Sequence, residues 1–291
     1  MEERFIEPQK PKSRNLVGTI AAGIVALVIV LLYNQYGKPF SPNDDKQVRK
    51  VTLTDDYLKS ICPFRMVGLG VVQNVSTDEG AIAFHFFITE SDDSNSIDVT
   101  TIKRNEERAI DLAMVEVQGT KGELRELMHH IVQNGLSLCF DIKGDNGGNG
   151  QITLNSQQIK EALRRLPFTN DYEFSLNAIA CSNRMLLPLK VDSVTEWIDV
   201  ELNVNDFIYV YNVDDRQQKV ESIDLVAQKE FMYKKLKENK KDMRNIIEGC
   251  AQTKRGIIYR YISKWTKEST GIHIWSEELE YMGDEAENEI E

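Results

Sequence analysis

The chain contains the same pattern twice, and this internal repeat constrains its fold more than any other feature. Residues 61–65 (ICPFR) align with residues 186–190 (LLPLK), and the same offset aligns the alternating run 82–88 with the run 207–213. A second group of residues also matches, with Leu136, Leu138, Phe140, Ile152, Leu154, Ser156 and Ile159 falling on Ile257, Tyr259, Tyr261, Ile272, Ile274, Ser276 and Leu279. Self-similarity of this kind predicts two tandem copies of one structural unit.

Each copy shows two hydrophobic periods. Large residues occupy every second position in residues 82–88 and 207–213, which is typical of strands with one buried face. Turn residues lie before both runs, so each run is predicted to form a hairpin with the strand upstream. Helical spacing follows, with one long helix predicted at 222–250 and, in the first copy, two shorter helices separated at 119–122. A second hairpin completes each copy.

These periods predict an α+β fold made of two tandem helix-β-hairpin-helix-β-hairpin modules, at residues 51–168 and 169–282. In each module a four-stranded antiparallel sheet would bury one face under the packed central helix. Ser156 and Ser276 are predicted to cap a closing helix in each copy. A unit of this size can bury a core of its own.

The N-terminal region contains a long apolar segment, residues 16–33, without a charged side chain. As a helix it would be about 27 Å long, enough to cross the hydrocarbon core of a bilayer. A buried core helix and a cleaved signal peptide are the alternatives, but no small-residue cleavage site ends the run. We therefore predict one transmembrane helix at residues 16–36, which would be in contact with the lipid bilayer.

The residues that flank this segment predict its orientation. Three basic residues precede it: Lys10, Lys12 and Arg14. By the positive-inside rule, residues 1–15 would be cytoplasmic and residues 37–291 extracytoplasmic. Residues 37–50 combine glycine, proline and charged residues, a composition that predicts a linker. The predicted location is therefore the cytoplasmic (inner) membrane, crossed once.

The composition is that of a folded protein and argues against a nucleic-acid partner. Hydrophobic residues make up 41% of the 291 residues and charged residues 28%, with a formal net charge of −11. Binding to a phosphate backbone depends on clustered lysine and arginine, which this acidic balance does not favour. Residues 283–291 are acidic without a basic residue and are predicted to form a disordered tail.

No motif for catalysis or for binding a metal or cofactor is present in the sequence. The glycine-rich stretch 144–150 lacks the Lys-Ser/Thr ending of a P-loop and the final glutamate of an EF-hand loop. His129 and His130 are adjacent on a predicted helix and would point about 100° apart, which disfavours a shared metal. We therefore predict no catalytic residue, no metal ligand and no cofactor. Trp265, in a predicted turn, is the candidate for a contact surface.

The cysteines fall two in each copy: Cys62 and Cys139 in the first, Cys181 and Cys250 in the second. An extracytoplasmic location permits disulfides, and four cysteines allow three pairings. If bridges form, one is expected within each repeat. The alternative is four thiols that act as small apolar residues.

The second copy carries the segments LPLKVDSVT (187–195), DFIYVYNV (206–213) and GIIYRYISK (256–264). These segments resemble small, uncharacterised exported bacterial domains with an LPxxVDxxT start and two YxY strands, which often follow a single membrane anchor. The similarity covers residues 180–280. The first copy departs from it, with Cys-Pro-Phe-Arg at 62–65 and Phe-His-Phe in place of Tyr-Val-Tyr. The resemblance implies the fold and an exported location, and it supplies no catalytic residue.

Taken together, these features predict a non-enzymatic, membrane-anchored protein that binds or scaffolds a protein partner in the cell envelope. One alternative is a hydrolase that acts on envelope material. Another is an immunity or inhibitor protein held at the membrane, since an acidic body suits a basic partner. An enzyme would need a cluster of acid, base and nucleophile that differs between the two copies, and the sequence alone reveals none.

Overall fold

A computed structural model of the chain describes residues 55–78, 80–88, 99–144, 147–216, 219–220, 223–238 and 240–284. Within these ranges no helix is long and apolar enough to cross a membrane. The predicted architecture, which begins with an N-terminal transmembrane helix, is therefore wrong in that element. No such helix is part of the described fold. The segment concerned, 16–36, lies outside the described residues, as do residues 1–15, 37–50 and 285–291.

The first repeat consists of three strands, three helices, two strands and a closing helix, preceded by a short helix. The elements are α1 (Asp55–Ser60), β1 (Phe64–Met66), β2 (Gly70–Asp78), β3 (Ala81–Ile88), α2 (Val99–Arg104), α3 (Glu106–Gly119), α4 (Gly122–Gln133), β4 (Ser137–Gly144), β5 (Asn149–Leu154) and α5 (Ser156–Arg164). The predicted break between two helices at 119–122 is confirmed by the end of α3 and the start of α4.

The second repeat follows a similar order, except that two helices, not three, are described between its central strands. Its elements are α6 (Asp171–Leu186), β6 (Leu189–Lys190), β7 (Thr195–Leu202), β8 (Asp206–Val213), α7 (Leu225–Glu238), α8 (Lys240–Gln252), β9 (Gly256–Ser263), β10 (Ser269–Ile274) and α9 (Ser276–Asp284). Gly283 and Asp284, which lie in the predicted acidic tail, belong to the last helix.

The fold is α+β, as predicted, but the predicted four-stranded antiparallel sheets are wrong. Each repeat has a five-stranded sheet, with strand order β1-β2-β3-β4-β5 in the first and β10-β9-β8-β7-β6 in the second. The central pairs β3–β4 and β8–β9 are parallel, whereas the other pairs are antiparallel. The helices between the central strands return the chain to the end of the sheet where the first strand began, so the second strand runs in the same direction.

The strand pairings also correct the alignment of the two repeats. Phe84 pairs with Phe140 in the first sheet, and Tyr209 pairs with Tyr259 in the second. Since Phe84 and Tyr209 occupy equivalent positions, Phe140 corresponds to Tyr259 and not, as predicted, to Tyr261. The closing helix α5 likewise differs in detail, because Asn155 and not Ser156 is its N-cap, in a capping box with Gln158.

Aromatic side chains on the inner faces form much of the core, as predicted for the alternating runs. Tyr209 stacks on Tyr259 with ring centroids 5.2 Å apart, and Tyr211 stacks on Tyr261 at 5.3 Å. All four rings are buried, and burial raises the pKa of each hydroxyl. Their equivalents in the first sheet include phenylalanines, which indicates that the rings serve packing and not the chemistry of the hydroxyl.

Helix α6 joins the two repeats into one body. By sequence it begins the second repeat, where Leu176 and Ile179 belong to the core. Met185, six residues further along, is buried in the core of the first repeat. Arg108 of α3 donates to the carbonyl of Leu187 at 3.0 Å, and Asn105 donates to the carbonyl of Met185 at 2.6 Å. The repeats therefore share a helix and do not pack as separate domains.

Candidate functional site

The second repeat has a groove of about 610 Å3 between the first turns of α7 and the edge strand β10. Its sides are formed by Leu225, Val226, Lys229, Glu230 and Tyr233 of α7 and by Gly271, Ile272, His273 and Glu278. Leu225 is 39% exposed and Val226 is 72% exposed. Two aliphatic side chains thus lie open to solvent at a position where a ligand could cover them.

The groove exists because only part of α7 packs on the sheet. Met232 and Leu236, in its later turns, are the residues of α7 that are fully buried. Strand β10 ends the sheet, so among the described residues its outer edge has no strand partner. Gly271 in this strand is exposed and carries no side chain, which leaves the main chain of the edge accessible.

Charged side chains close one end of the groove. Lys229 of α7 contacts Glu278 of α9, with Nζ and Oε2 2.8 Å apart, and the N–H of Trp275 donates to the same carboxylate at 2.8 Å. Partial burial acts to raise the pKa of Glu278, but these hydrogen bonds outweigh it and the pKa is lowered. The carboxylate therefore stays ionised and fixes α7 to α9 next to the exposed apolar residues.

A second polar pair joins His273 of β10 to Asp206 of β8. His273 Nε2 is 2.9 Å from Asp206 Oδ1, although β9 runs between their strands. The pair can form because Gly256 lies between them, and a Cβ at that position would come within 2.3 Å of His273 Nε2. The ring of Trp275, 54% exposed, lies 3.6 Å from the imidazole ring between centroids. His273 is thus held in place where it lines the groove.

The first repeat has a related opening of about 600 Å3, and its lining is more polar than that of the groove. It is formed by Ile102, Lys103, Glu106, Asp141, Ile142, Lys143, Asn149, Gly150 and Gln151. Helix α2 lies against edge strand β5 here, and a Cβ at Gly150 would be 3.2 Å from Val99. The two repeats therefore present chemically different surfaces at equivalent places, more apolar in the second and more polar in the first.

A row of hydrogen-bonding side chains crosses the outer face of the first sheet beside this polar opening. Ser76 Oγ lies 2.7 Å from His85 Nε2. His85 Nδ1 lies 3.4 Å from Asp141 Oδ2, and Gln151 donates to Asp141 Oδ1 at 2.8 Å. Side chains of His85 and Asp141 are 31% and 30% exposed. The sequence alone does not reveal this row, because its members come from four strands and only the register brings them together.

The predicted contact residue Trp265 is exposed but tied to its own turn. Its indole is 55% exposed, and Nε1 donates to Asp214 Oδ1 at 2.9 Å. The guanidinium of Arg216 lies 5.0 Å from the centre of the ring. Arg216 and Trp265 together lower the pKa of Asp214. Trp265 lies outside the residues that line the groove, and its role as a contact residue stays a prediction.

The four cysteines are free thiols in the structure. Cys250 is buried in the second core, whereas Cys181 of the same repeat packs against the first. Cys62 packs against the first core, and Cys139 lies on the outer face of the sheet, where its Sγ is 3.6 Å from Thr153 Oγ1. Burial raises the pKa of Cys181 to about 11. The members of each predicted pair thus lie in different environments, and mass spectrometry of the unreduced protein remains the test for bridges.

Glu116 on α3 places a buried carboxyl group in the interior of the first repeat. It accepts a hydrogen bond from the N–H of Val67 at 3.1 Å and another from the N–H of Gly68. Burial raises its pKa from 4.5 to about 7, against the opposing effect of these hydrogen bonds and of Arg65. The carboxyl group connects α3 to the turn between β1 and β2.

This carboxyl group makes stability depend on pH. Its pKa is higher in the folded than in the unfolded chain, so its contribution is greatest below about pH 4.5 and is lost as the pH rises through 7. At most the loss is about 3 kcal/mol. We expect the wild type to lose more stability than Glu116→Gln between pH 5 and pH 7.5 in urea unfolding. Equal losses in the two proteins would contradict the assignment.

Among the described residues, no group of three or more His, Cys, Asp or Glu side chains could hold a metal ion. Comparison of the chain with protein-family models, with curated proteins and with solved structures found no match. The chemistry of the groove and of the polar row is therefore the basis on which a function can be argued.

Proposed function

We propose that this protein is a binding module of the cell envelope that holds an extended, apolar segment of a partner protein in the groove between α7 and β10. The observation that carries the proposal is the exposure of Leu225 and Val226 opposite a strand edge that, within the described ranges, has no partner strand. An incoming strand would hydrogen-bond to the edge of β10 and place an apolar side chain against the aliphatic wall. Such binding requires no catalytic residue in the groove.

The charges around the groove favour one kind of partner segment. Glu230 is exposed at the rim, and the chain as a whole has a formal net charge of −11. The carboxylate of Glu278 is already paired with Lys229. A segment with an apolar or aromatic residue next to lysine or arginine would therefore complement both the wall and the rim. The envelope location of this partner is inferred from the basic residues that precede residues 16–36.

A selection from displayed random peptides against the immobilised full-length protein tests the proposal. We expect enriched peptides to combine an apolar residue with a basic neighbour. Val226→Glu should weaken their binding at least tenfold, or about 1.4 kcal/mol, in calorimetry. Val204→Glu is the matched control, because Val204 is also exposed, at 82%, and does not line the groove. Failure to enrich any peptide, or equal binding by both variants, would contradict the proposal.

A further inference from the structure

The row of side chains on the first sheet has the geometry of a nucleophile with its base. We propose that Ser76, His85 and Asp141 form an esterase site that hydrolyses small carboxylic esters on the open face of this sheet. In this arrangement the hydroxyl lies within hydrogen-bond distance of one imidazole nitrogen, and a carboxylate lies near the other. Gln151 holds the carboxylate from its far side. This activity goes beyond the binding role of the groove, which lies in the other repeat.

The row differs between the repeats, which argues against a purely architectural role. The strand registers place Glu201, Val210, Arg260 and Gly271 at the positions of Ser76, His85, Asp141 and Gln151. There, Arg260 and Glu201 form an ion pair at 3.1 Å that passes over Val210. The second sheet thus keeps its outer face polar with a simple ion pair, whereas the first has acquired a nucleophile, a base and an acid.

The surroundings of Ser76 favour a short acyl group. Ala83 lies directly opposite Ser76 on β3 and places only a methyl group beside the hydroxyl. The face is not covered by a second layer among the described residues, so the alcohol part of the ester can be large. Asn74 lies two residues before Ser76 on the same face and opposite His85, and it is exposed. Its amide N–H can donate to the oxyanion that forms on the acyl carbonyl.

The proposed reaction proceeds in two balanced steps. Ser76 Oγ attacks the carbonyl carbon while its proton passes to His85 Nε2, and the tetrahedral intermediate expels the alcohol, which takes that proton. Water then attacks the acyl-serine, with His85 again accepting a proton. The acid is released, and the proton returns to Ser76. Asp141 orients the imidazole and stabilises its positive charge in both steps.

Hydrolysis of p-nitrophenyl acetate and labelling by a fluorophosphonate test this site in the full-length protein. We expect the label on Ser76, located by peptide mass spectrometry, and both signals should fall to background in Ser76→Ala. Asn74→Ala should lower kcat about 100-fold. Ser137→Ala, on β4 of the same sheet and on the same outer face, is the matched control and should retain full activity.

A second measurement separates catalysis from folding. His85→Ala removes a partly exposed side chain, so added imidazole can enter and should restore hydrolysis, which a merely structural role of His85 would not allow. The urea midpoints of all variants show whether they are folded. A label on Cys139 or Ser137 in place of Ser76, hydrolysis that Ser76→Ala retains, or a folded wild type without measurable hydrolysis would overturn the proposal.

Discussion

Replacing Trp197 with alanine should lower the free energy of unfolding by about 4 kcal/mol. The indole is completely buried, and its ring centroid lies 5.6 Å from that of Tyr209 and 6.4 Å from that of Tyr211. Its Nε1 donates to the carbonyl of Asp199 at 2.8 Å, so the truncation also leaves that carbonyl without this donor. Urea unfolding followed by far-UV circular dichroism measures the loss.

The matched control is Trp265→Ala, which makes the same chemical change at a side chain that is 55% exposed. We expect this variant to lose about 0.5 kcal/mol, since its indole has only one hydrogen bond and one stacked arginine to give up. Equal losses for the two tryptophans would mean that the stacked rings on the inner face do not form the core of the second repeat.

Met185→Ala should lower the free energy of unfolding by about 3 kcal/mol and destabilise both repeats together. The side chain belongs to the second repeat by sequence but is fully buried in the core of the first. All three tryptophans lie in the second repeat, so their fluorescence reports on that repeat, whereas circular dichroism reports on both. Because the repeats share α6, both probes should shift to the same lower urea midpoint.

Tyr172→Ala is the control for this variant, since Tyr172 lies on the same helix and is 42% exposed. Its midpoint should stay close to that of the wild type. A circular-dichroism transition that moves while the fluorescence transition does not would show that the first repeat unfolds alone. The shared helix would then not couple the two halves.

Much of the fold can be read from the sequence, because side-chain period reports directly on burial. The alternating residues 82–88 and 207–213 are strands, and the glycine-containing break at 119–122 separates two helices. The short strands β1 and β6 have only three and two residues, too few for a period to be recognised. They add the fifth strand to each sheet that the predicted four-stranded arrangement lacked.

The error in aligning the second hairpins has a simple physical cause. A strand with one buried face repeats every two residues, so shifting the alignment by two keeps every large residue on the buried side. Judged by the pattern alone, Leu136 and Leu138 are equally good equivalents of Ile257. Only the hydrogen-bonded register, which pairs Ile82 with Leu138, distinguishes them.

The candidate sites depend on register and packing and were therefore not predictable from the sequence. Ser76 and His85 are nine residues apart across a hairpin, and Asp141 reaches them from a strand that follows three helices. Each of them alone reads as an ordinary polar residue on the outer face of a strand. The groove likewise depends on where α7 leaves the sheet, which the helical spacing of its sequence does not reveal.

The most direct test of the binding groove is photo-crosslinking in intact cells of the native organism. A benzoylphenylalanine placed at position 226 of the full-length protein should crosslink to one protein, and the same group at position 204, where the side chain is also exposed, should not. The crosslink at 226 should disappear when Leu225→Glu is added, because this change replaces the neighbouring apolar wall with a charge. No crosslink at 226, the same products from both positions, or a crosslink that survives Leu225→Glu would contradict the account.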